Sequence, residues 1–320
     1  MKDMCFLAYQ NGNYKVYISK EDGTKLRYCN YQQYKPEFPE SIDLKITNRC
    51  NLNCRMCHEE STPNGRHADL NDPIFDTFHA GMELAIGGGN PLEHPCLGSF
   101  LLRMKEKDII CNITVNLKHF MDNYDYIAEL SRTGMVHGIG VSIPFATRSD
   151  LDHMDSIAKK INSIPNTVVH AIYGITTWET IMALAYKNVN LLILGYKSYG
   201  KGKKAYESDR MYQAAVNMIM RDTEKGLPEL VKQMQDPTVE NKPFRVICLD
   251  NLAFRQLQMF SDRDAVANAQ YMGDDGEFTM YLDMVNRQYA VSSAEERIPI
   301  GDKQTIEELF ADVRNRVKQV

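Results

Sequence analysis

Cys50, Cys54 and Cys57 stand in the run Thr47-Asn48-Arg49-Cys50-Asn51-Leu52-Asn53-Cys54-Arg55-Met56-Cys57, a C-x3-C-x2-C spacing. Three thiols crowded into one short loop are a donor set for an iron–sulfur cluster or for zinc. Four-iron clusters are normally held by four thiolates, so three leave one iron open to a small molecule. Zinc tolerates similar spacing, but a structural zinc asks for four protein ligands. The next candidate ligand, His58, adjoins Cys57, and no second C-x2-C pair exists to close a tetrahedral site. The triplet therefore reads as a cluster site ahead of zinc or unligated thiols. Cys5, Cys29, Cys96, Cys111 and Cys248 are scattered singly and are expected to be buried small hydrophobes, so no second cluster is foreseen.

A second constellation lies downstream, Gly88-Gly89-Asn90-Pro91-Leu92-Glu93-His94-Pro95. Paired glycines before proline mark a turn at which backbone can approach a ligand without Cβ hindrance. His58, Glu59 and Glu60 could reach substrate or tune a cluster, but read first as a solvated loop. Lys197, Tyr199, Lys201, Lys203 and Lys204 interleave charge and aromatics. Such a run is usually a solvated face; closing over a site, it would favour an anionic substrate. Asp250 and Asn251 are candidates for substrate contact, and Gly273-Asp274-Asp275-Gly276 reads as a hairpin turn.

These residues need a scaffold. From about 42 to 196, apolar runs alternate with helical stretches. The strand candidates are 42–47, 84–88, 109–115, 138–143, 167–173 and 190–195. The helical segments are 73–82, 97–107, 124–133, 151–163 and 177–186. Strands alternating with crossover helices imply a parallel sheet, curled into an open barrel or doubly wound. Both chemical motifs follow directly on strands, at the end of an α/β sheet where chemistry is usually placed.

Residues 1–40 read as a β lead-in, with a hairpin of 14–19 and 25–28 around Glu21-Asp22-Gly23-Thr24. Beyond 200, Lys201-Gly202-Lys203-Lys204 reads as a flexible break. Helices are expected at 209–224 and 228–235, then a strand at 244–249, a hairpin from 278–284 to 288–292 and a last helix at 303–318. The expected division is a lead-in at 1–40, a core at 41–200 and an α+β extension at 201–320.

The triplet and the glycine turn together resemble the signature of the radical S-adenosylmethionine (SAM) superfamily. The resemblance spans roughly residues 42–196 and implies an α/β fold, a partial (β/α)6 barrel. It implies a [4Fe–4S] cluster on Cys50, Cys54 and Cys57, with SAM chelating the open iron through its amino and carboxylate groups. Gly88, Gly89, Asn90 and Pro91 occupy the family's Gly-Gly-Glu-Pro position, whose backbone receives the SAM amino group. Asn90 departs from the pattern: an amide oxygen still accepts from an ammonium but carries no charge. Met56 takes the place of a residue near the adenine. Asn116 ends the third strand, Ser142 the fourth, the Ile172-Tyr173-Gly174 stretch the fifth and Gly195-Tyr196 the sixth. These are expected SAM contacts, each also explicable as a plain structural residue.

By the same resemblance, the reduced cluster cleaves SAM and the resulting radical takes hydrogen from a substrate carbon, with a donor such as flavodoxin or ferredoxin supplying the electron. The C-terminal hairpin and helix are similar to auxiliary domains of peptide-modifying members, although they lack the cysteines for extra clusters. A peptide or amino-acid side chain is thus the first substrate expectation. A nucleoside or nucleotide, suggested by the Lys197–Lys204 run, is the second, and a non-catalytic metal-binding module the remote alternative.

The gross numbers agree. The chain has 320 residues, 43% hydrophobic, with net charge −5. It is long enough for a substantial core and lacks the basic excess of a nucleic-acid backbone binder. Nothing reads as a signal peptide, and apolar runs such as Leu191–Leu194 are strand-sized. Scattered cysteines without a disulfide framework point to the cytoplasm.

Overall fold

Alternation at the start of the chain turns Tyr14, Val16 and Ile18 to one side, where all three are buried. They belong to a three-stranded antiparallel sheet of β1 (Phe6–Asn11), β2 (Tyr14–Ser19) and β3 (Lys25–Tyr28), order β1-β2-β3. This computed structural model describes residues 6–19, 23–258 and 275–317. The expected β2–β3 hairpin is present, although Glu21 and Asp22 of its turn lie outside the described residues, as do Cys5, Gly273 and Asp274. β1 was not foreseen.

The six expected core strands form β4 (Ser41–Thr47), β5 (Glu83–Gly88), β6 (Ile110–Asn116), β7 (Gly138–Ser142), β8 (Thr167–Ile172) and β9 (Asn190–Leu194). Each pairs in parallel with the next. Residues beyond 200 extend this sheet at both sides. β10 (Val246–Leu249) pairs in parallel with β9, and β11 (Thr279–Asp283) in parallel with β4. β12 (Gln288–Ala290) and β13 (Ile298–Pro299) follow antiparallel, so the order is β10-β9-β8-β7-β6-β5-β4-β11-β12-β13. Among the described residues the end strands do not pair and the sheet is open.

One face of the sheet is apolar. Ile113, Val115, Val169, Ala171, Leu191 and Ile193 join a single core with α1 (Leu97–Glu106), α3 (Tyr124–Arg132), α5 (Met154–Ser163) and α6 (Trp178–Leu184). The other face carries Asp43, Lys45, Asn112, Thr114 and His170, set by the period of two. The loop after β4 and the segment after β11 fold over this polar face, since Glu59 reaches Lys45 and Arg297 reaches both Glu59 and Asp283.

Several helical expectations change. The stretch 73–82 forms only a 3-10 helix, Pro73–Thr77, because Phe78 is extended and Gly81, at φ +85°, packs against the Tyr9 ring. A short α2 (Leu117–Asp122) precedes α3, and α4 (Arg148–Asp152) is separated from α5 at His153. The expected basic break is a helix, α7 (Gly200–Ser208). The two helices expected around Pro228 are one, α8 (Arg210–Gln235). Gly226 packs on the Trp178 ring, where a Cβ would come within 2.3 Å, while Leu227, Leu230 and Val231 are buried. That burial carries the helix through a residue of poor propensity. α9 (Asn251–Leu257) follows β10, and the C-terminal helix Ile306–Val317 buries Ile306, Leu309, Phe310 and Val313. Among the described residues no helix is long and apolar enough to cross a membrane.

Candidate active site at the cysteine loop

The chain leaves β4 at Thr47 and makes a long loop that returns at residues 62–68. The two limbs are cross-braced: Asn48 N donates to Arg66 O at 2.8 Å, Cys50 N to Thr62 O at 2.9 Å and Thr62 N to Asn48 O at 3.0 Å. Gly65 is required there, since a Cβ would stand 1.9 Å from the Asn48 carbonyl oxygen. At the tip, Cys57 N donates to Cys54 O at 3.2 Å, and Asn53 takes a left-handed φ of 48°. All three cysteines are free thiols, each partly accessible. Burial pushes the Cys54 thiol up to about 11, with Cys57 and Cys50 adding, and burial also raises Cys50. Metal binding by these thiols therefore entails proton release.

The glycine turn is bonded directly to this loop. Gly89 N donates to Thr47 O and Asn90 N to Arg49 O, both at 2.7 Å. Gly88 has φ +102°, and a Cβ on Gly89 would stand 2.1 Å from the Arg49 oxygen. The glycines thus let two pieces of backbone meet. Asn90 is buried and caps the 3-10 helix Pro91–Glu93, accepting from Leu92 N at 3.3 Å and donating to Glu93 Oε1 at 3.2 Å. Glu93 in turn lies 3.2 Å from Arg49 Nε. Glu93 thus brings a carboxylate into the same cluster of contacts as Asn90 and Arg49.

Three other expected contacts converge. Met56, Ile172 and Tyr196 share one apolar cluster with Ile175, Val216 and Met220, beside the cysteine loop. Tyr196 is buried and its hydroxyl donates to Gly202 O at 2.8 Å. Asn116 and Ser142 are register partners at the ends of β6 and β7, and Asn116 caps α2 by accepting from Lys118 N. Asp250 caps α9 and also accepts from Gly195 N at 2.9 Å, while Asn251 donates to Asp275, so both are spent on structure.

Behind the cysteines lies a buried ionic network. Glu59 accepts from Lys45 at 2.9 Å, Arg297 at 3.0 Å and the Tyr281 hydroxyl at 2.9 Å, with His58 at 3.2 Å. Asp283 meets the same Lys45 and Arg297. Burial pushes the Glu59 carboxyl up, but His58, Lys45 and Arg297 outweigh it and hold it well below the usual carboxylate range. Glu59 is only 5% exposed, so this part of the loop is not solvated as expected. Lys197 Nζ reaches Ser293 at 2.7 Å and His58 at 3.4 Å. On the polar sheet face, burial pushes His170 down to about 4.

Lys45, His119, His170 and Arg297 were missed by sequence reading. Asp43 and Lys45 alternating with Ile42, Leu44 and Ile46 did signal a polar face. His119, which bonds Asn51 Oδ1 at 2.8 Å from α2, left no such signal. Of the scattered cysteines, Cys111 is buried as expected, whereas Cys96, at the start of α1, is exposed.

Among the described residues no three His, Cys, Asp or Glu side chains stand close enough to hold one metal ion. A four-iron cluster asks for a different arrangement, since each thiolate takes its own iron and the sulfurs need not converge on a point. The donor set of three accessible thiols on one braced loop fits that demand.

No family model matches the chain, and no curated protein matches it. Solved structures do. Streptococcus suis SuiB bound to precursor peptide SuiA superposes with a TM-score of 0.62 at 13% identity, covering 100% of this chain and 91% of SuiB. SuiB bound to S-adenosylmethionine gives 0.61 at 13% identity, covering 99% and 89%. At this identity the likeness establishes a shared fold over essentially the whole chain.

Proposed function

We propose that this chain is a radical SAM enzyme that modifies a peptide or amino-acid side chain. The observation that carries the reading is the pair of 2.7 Å hydrogen bonds from Gly89 and Asn90 to the Thr47 and Arg49 carbonyls, which sets the glycine turn against the cysteine loop. Cys50, Cys54 and Cys57 would hold a [4Fe–4S] cluster. Gly88 to Pro91 would receive the SAM amino group, and Met56, Ile172 and Tyr196 its adenine, with Asn116 and Ser142 contributing polar contacts. When bound, the reduced cluster and SAM supply a radical that removes hydrogen from substrate carbon. The residues of the chain bind, orient and exclude water. Tyr196 and its apolar neighbours give a ring-shaped ligand a dry wall, and the Glu59 network holds the loop rigidly over the polar sheet face.

The fold shared with SuiB, which has been crystallised with SAM and with a precursor peptide, supports a peptide substrate. The nucleotide alternative loses the feature that favoured it, because Lys201 and Lys204 are engaged by the cysteine loop itself. A flavodoxin or ferredoxin is the proposed electron donor, and the cytoplasm the proposed setting.

Anaerobic reconstitution with iron and sulfide, followed by EPR of the reduced protein with and without SAM, tests the reading. A SAM-perturbed cluster signal with 5′-deoxyadenosine formation, both lost in Cys54→Ala, is expected. Bound zinc, or a cluster indifferent to SAM, would overturn it.

A further inference from the structure

The cations around the cysteine loop differ in what holds them. Arg55 pairs with Asp209 at 2.7 Å, Lys204 with Glu60, and Lys203 stands 3.9 Å from Glu207. Lys201 is held by neutral oxygens. Its Nζ donates to Asn53 Oδ1 at 2.7 Å and to Ser61 O at 2.6 Å, and its backbone amide donates to Cys57 O at 3.1 Å. Among the described residues no carboxylate stands within ion-pair distance of it.

The placement is constrained from both sides. Asn53 precedes Cys54, and Ser61 follows Cys57, so one ammonium bridges the two limbs of the segment carrying two of the three thiols. α7 can come this close because its first turn contains Gly200 and Gly202. A Cβ on Gly200 would stand 2.5 Å from the His58 oxygen, and one on Gly202 3.0 Å from the Met56 oxygen. The left-handed φ of Asn53 presents its amide oxygen to the ammonium. Two hydrogen bonds fix the position of the charge without neutralising it.

We propose that Lys201 is a positioning residue of the cluster site, closing the cysteine loop and placing an uncompensated positive charge beside its thiolates that makes the cluster easier to reduce. The inference rests on the cluster reading above. Cluster potentials respond to nearby charge and hydrogen bonding. Reduction adds negative charge, and a fixed cation in a partly desolvated site stabilises the reduced state more than the oxidised one. The basic run after β9 would thereby serve electron entry, not substrate capture.

Potentiometric titration of the reconstituted full-length protein, monitored by EPR, tests this with Lys201→Gln, Lys201→Arg and the control Lys204→Gln. Iron content is measured on each, and a wild type that takes up no iron would fail the cluster reading itself. Lys201→Gln keeps a donor for Asn53 and Ser61 but removes the charge. The expected result is an equilibrium constant for reduction about tenfold less favourable, or about 59 mV for a one-electron couple. Lys201→Arg and Lys204→Gln should stay near wild type. Loss of iron in Lys201→Gln with retention in Lys201→Arg would equally support a requirement for the charge. An unchanged potential in Lys201→Gln, or equal loss of iron in the Gln and Arg variants, would overturn the proposal.

Discussion

The cysteine loop is gripped from two sides by opposite means. Toward the sheet, Glu59 sits in a buried network with Lys45 of the preceding strand and with Tyr281, Asp283 and Arg297, which come from segments far away in sequence. Toward solvent, Lys204–Glu60 and Arg55–Asp209 join the loop to α7 and α8 through exposed pairs. Counted as ion pairs the two sides look alike. Energetically they are not, because breaking one partner of a buried network strands the others without water, whereas an exposed pair is exchanged for hydration at little cost. The inner side therefore sets where the loop lies, and the outer side, Lys201 apart, adds little to its stability.

The sharpest way to break that contrast is Glu59→Ala. It leaves Lys45 and Arg297 buried against Asp283 alone, and a loss of about 3–5 kcal/mol is expected in urea unfolding of the apo-protein. A loss comparable to that of an exposed pair would abolish the distinction. Gly89→Ala comes next: a Cβ 2.1 Å from the Arg49 oxygen must push the turn away from the loop. About 1–3 kcal/mol of destabilisation is expected, with iron uptake below wild type on reconstitution.

The polar sheet face beneath that network adds a pH dependence through His170, whose folded value burial lowers from 6.5 to about 4. Its Nδ1 is buried and, among the described residues, has no hydrogen-bond partner. The unfolded chain binds the proton first, so stability is complete above about pH 6.5 and is lost as pH falls toward 4. The loss is on the order of 3 kcal/mol, and His170→Gln should flatten that limb of the profile. Smallest of all, Lys204→Ala should change stability by no more than about 0.5 kcal/mol, and iron content not at all. A larger effect would show that the outer pairs carry the loop after all.

Much of this was legible in the chain. The six core strands fall within about a residue of where alternation places them, because a strand buried on one face must repeat its apolar side chains with a period of two. The cysteine triplet and the glycine turn were legible as chemistry because their spacing is local. Helix ends and breaks were less so. The stretch 73–82 carries helical residues but ends in a turn forced by the Tyr9 ring, and Pro228 announces a break that the packing of Leu227 and Trp178 overrides.

What the sequence determined by itself is therefore what depends on neighbours in the chain: strand periods, the three thiols and the turn. Tertiary structure alone decided which distant groups meet. Glu59 looked like one of three polar residues in a loop, yet it finds Lys45, Tyr281 and Arg297. Lys201 looked like one lysine among several, yet it alone of the run bridges Asn53 and Ser61. β11 could have capped an independent extension, yet it pairs with β4 through the register Tyr281↔Asp43 and Asp283↔Lys45. Such contacts join groups as far apart as Arg297 and Glu59, separated by 238 residues. No local pattern encodes them, because they are chosen by which arrangement leaves the fewest buried charges unpaired.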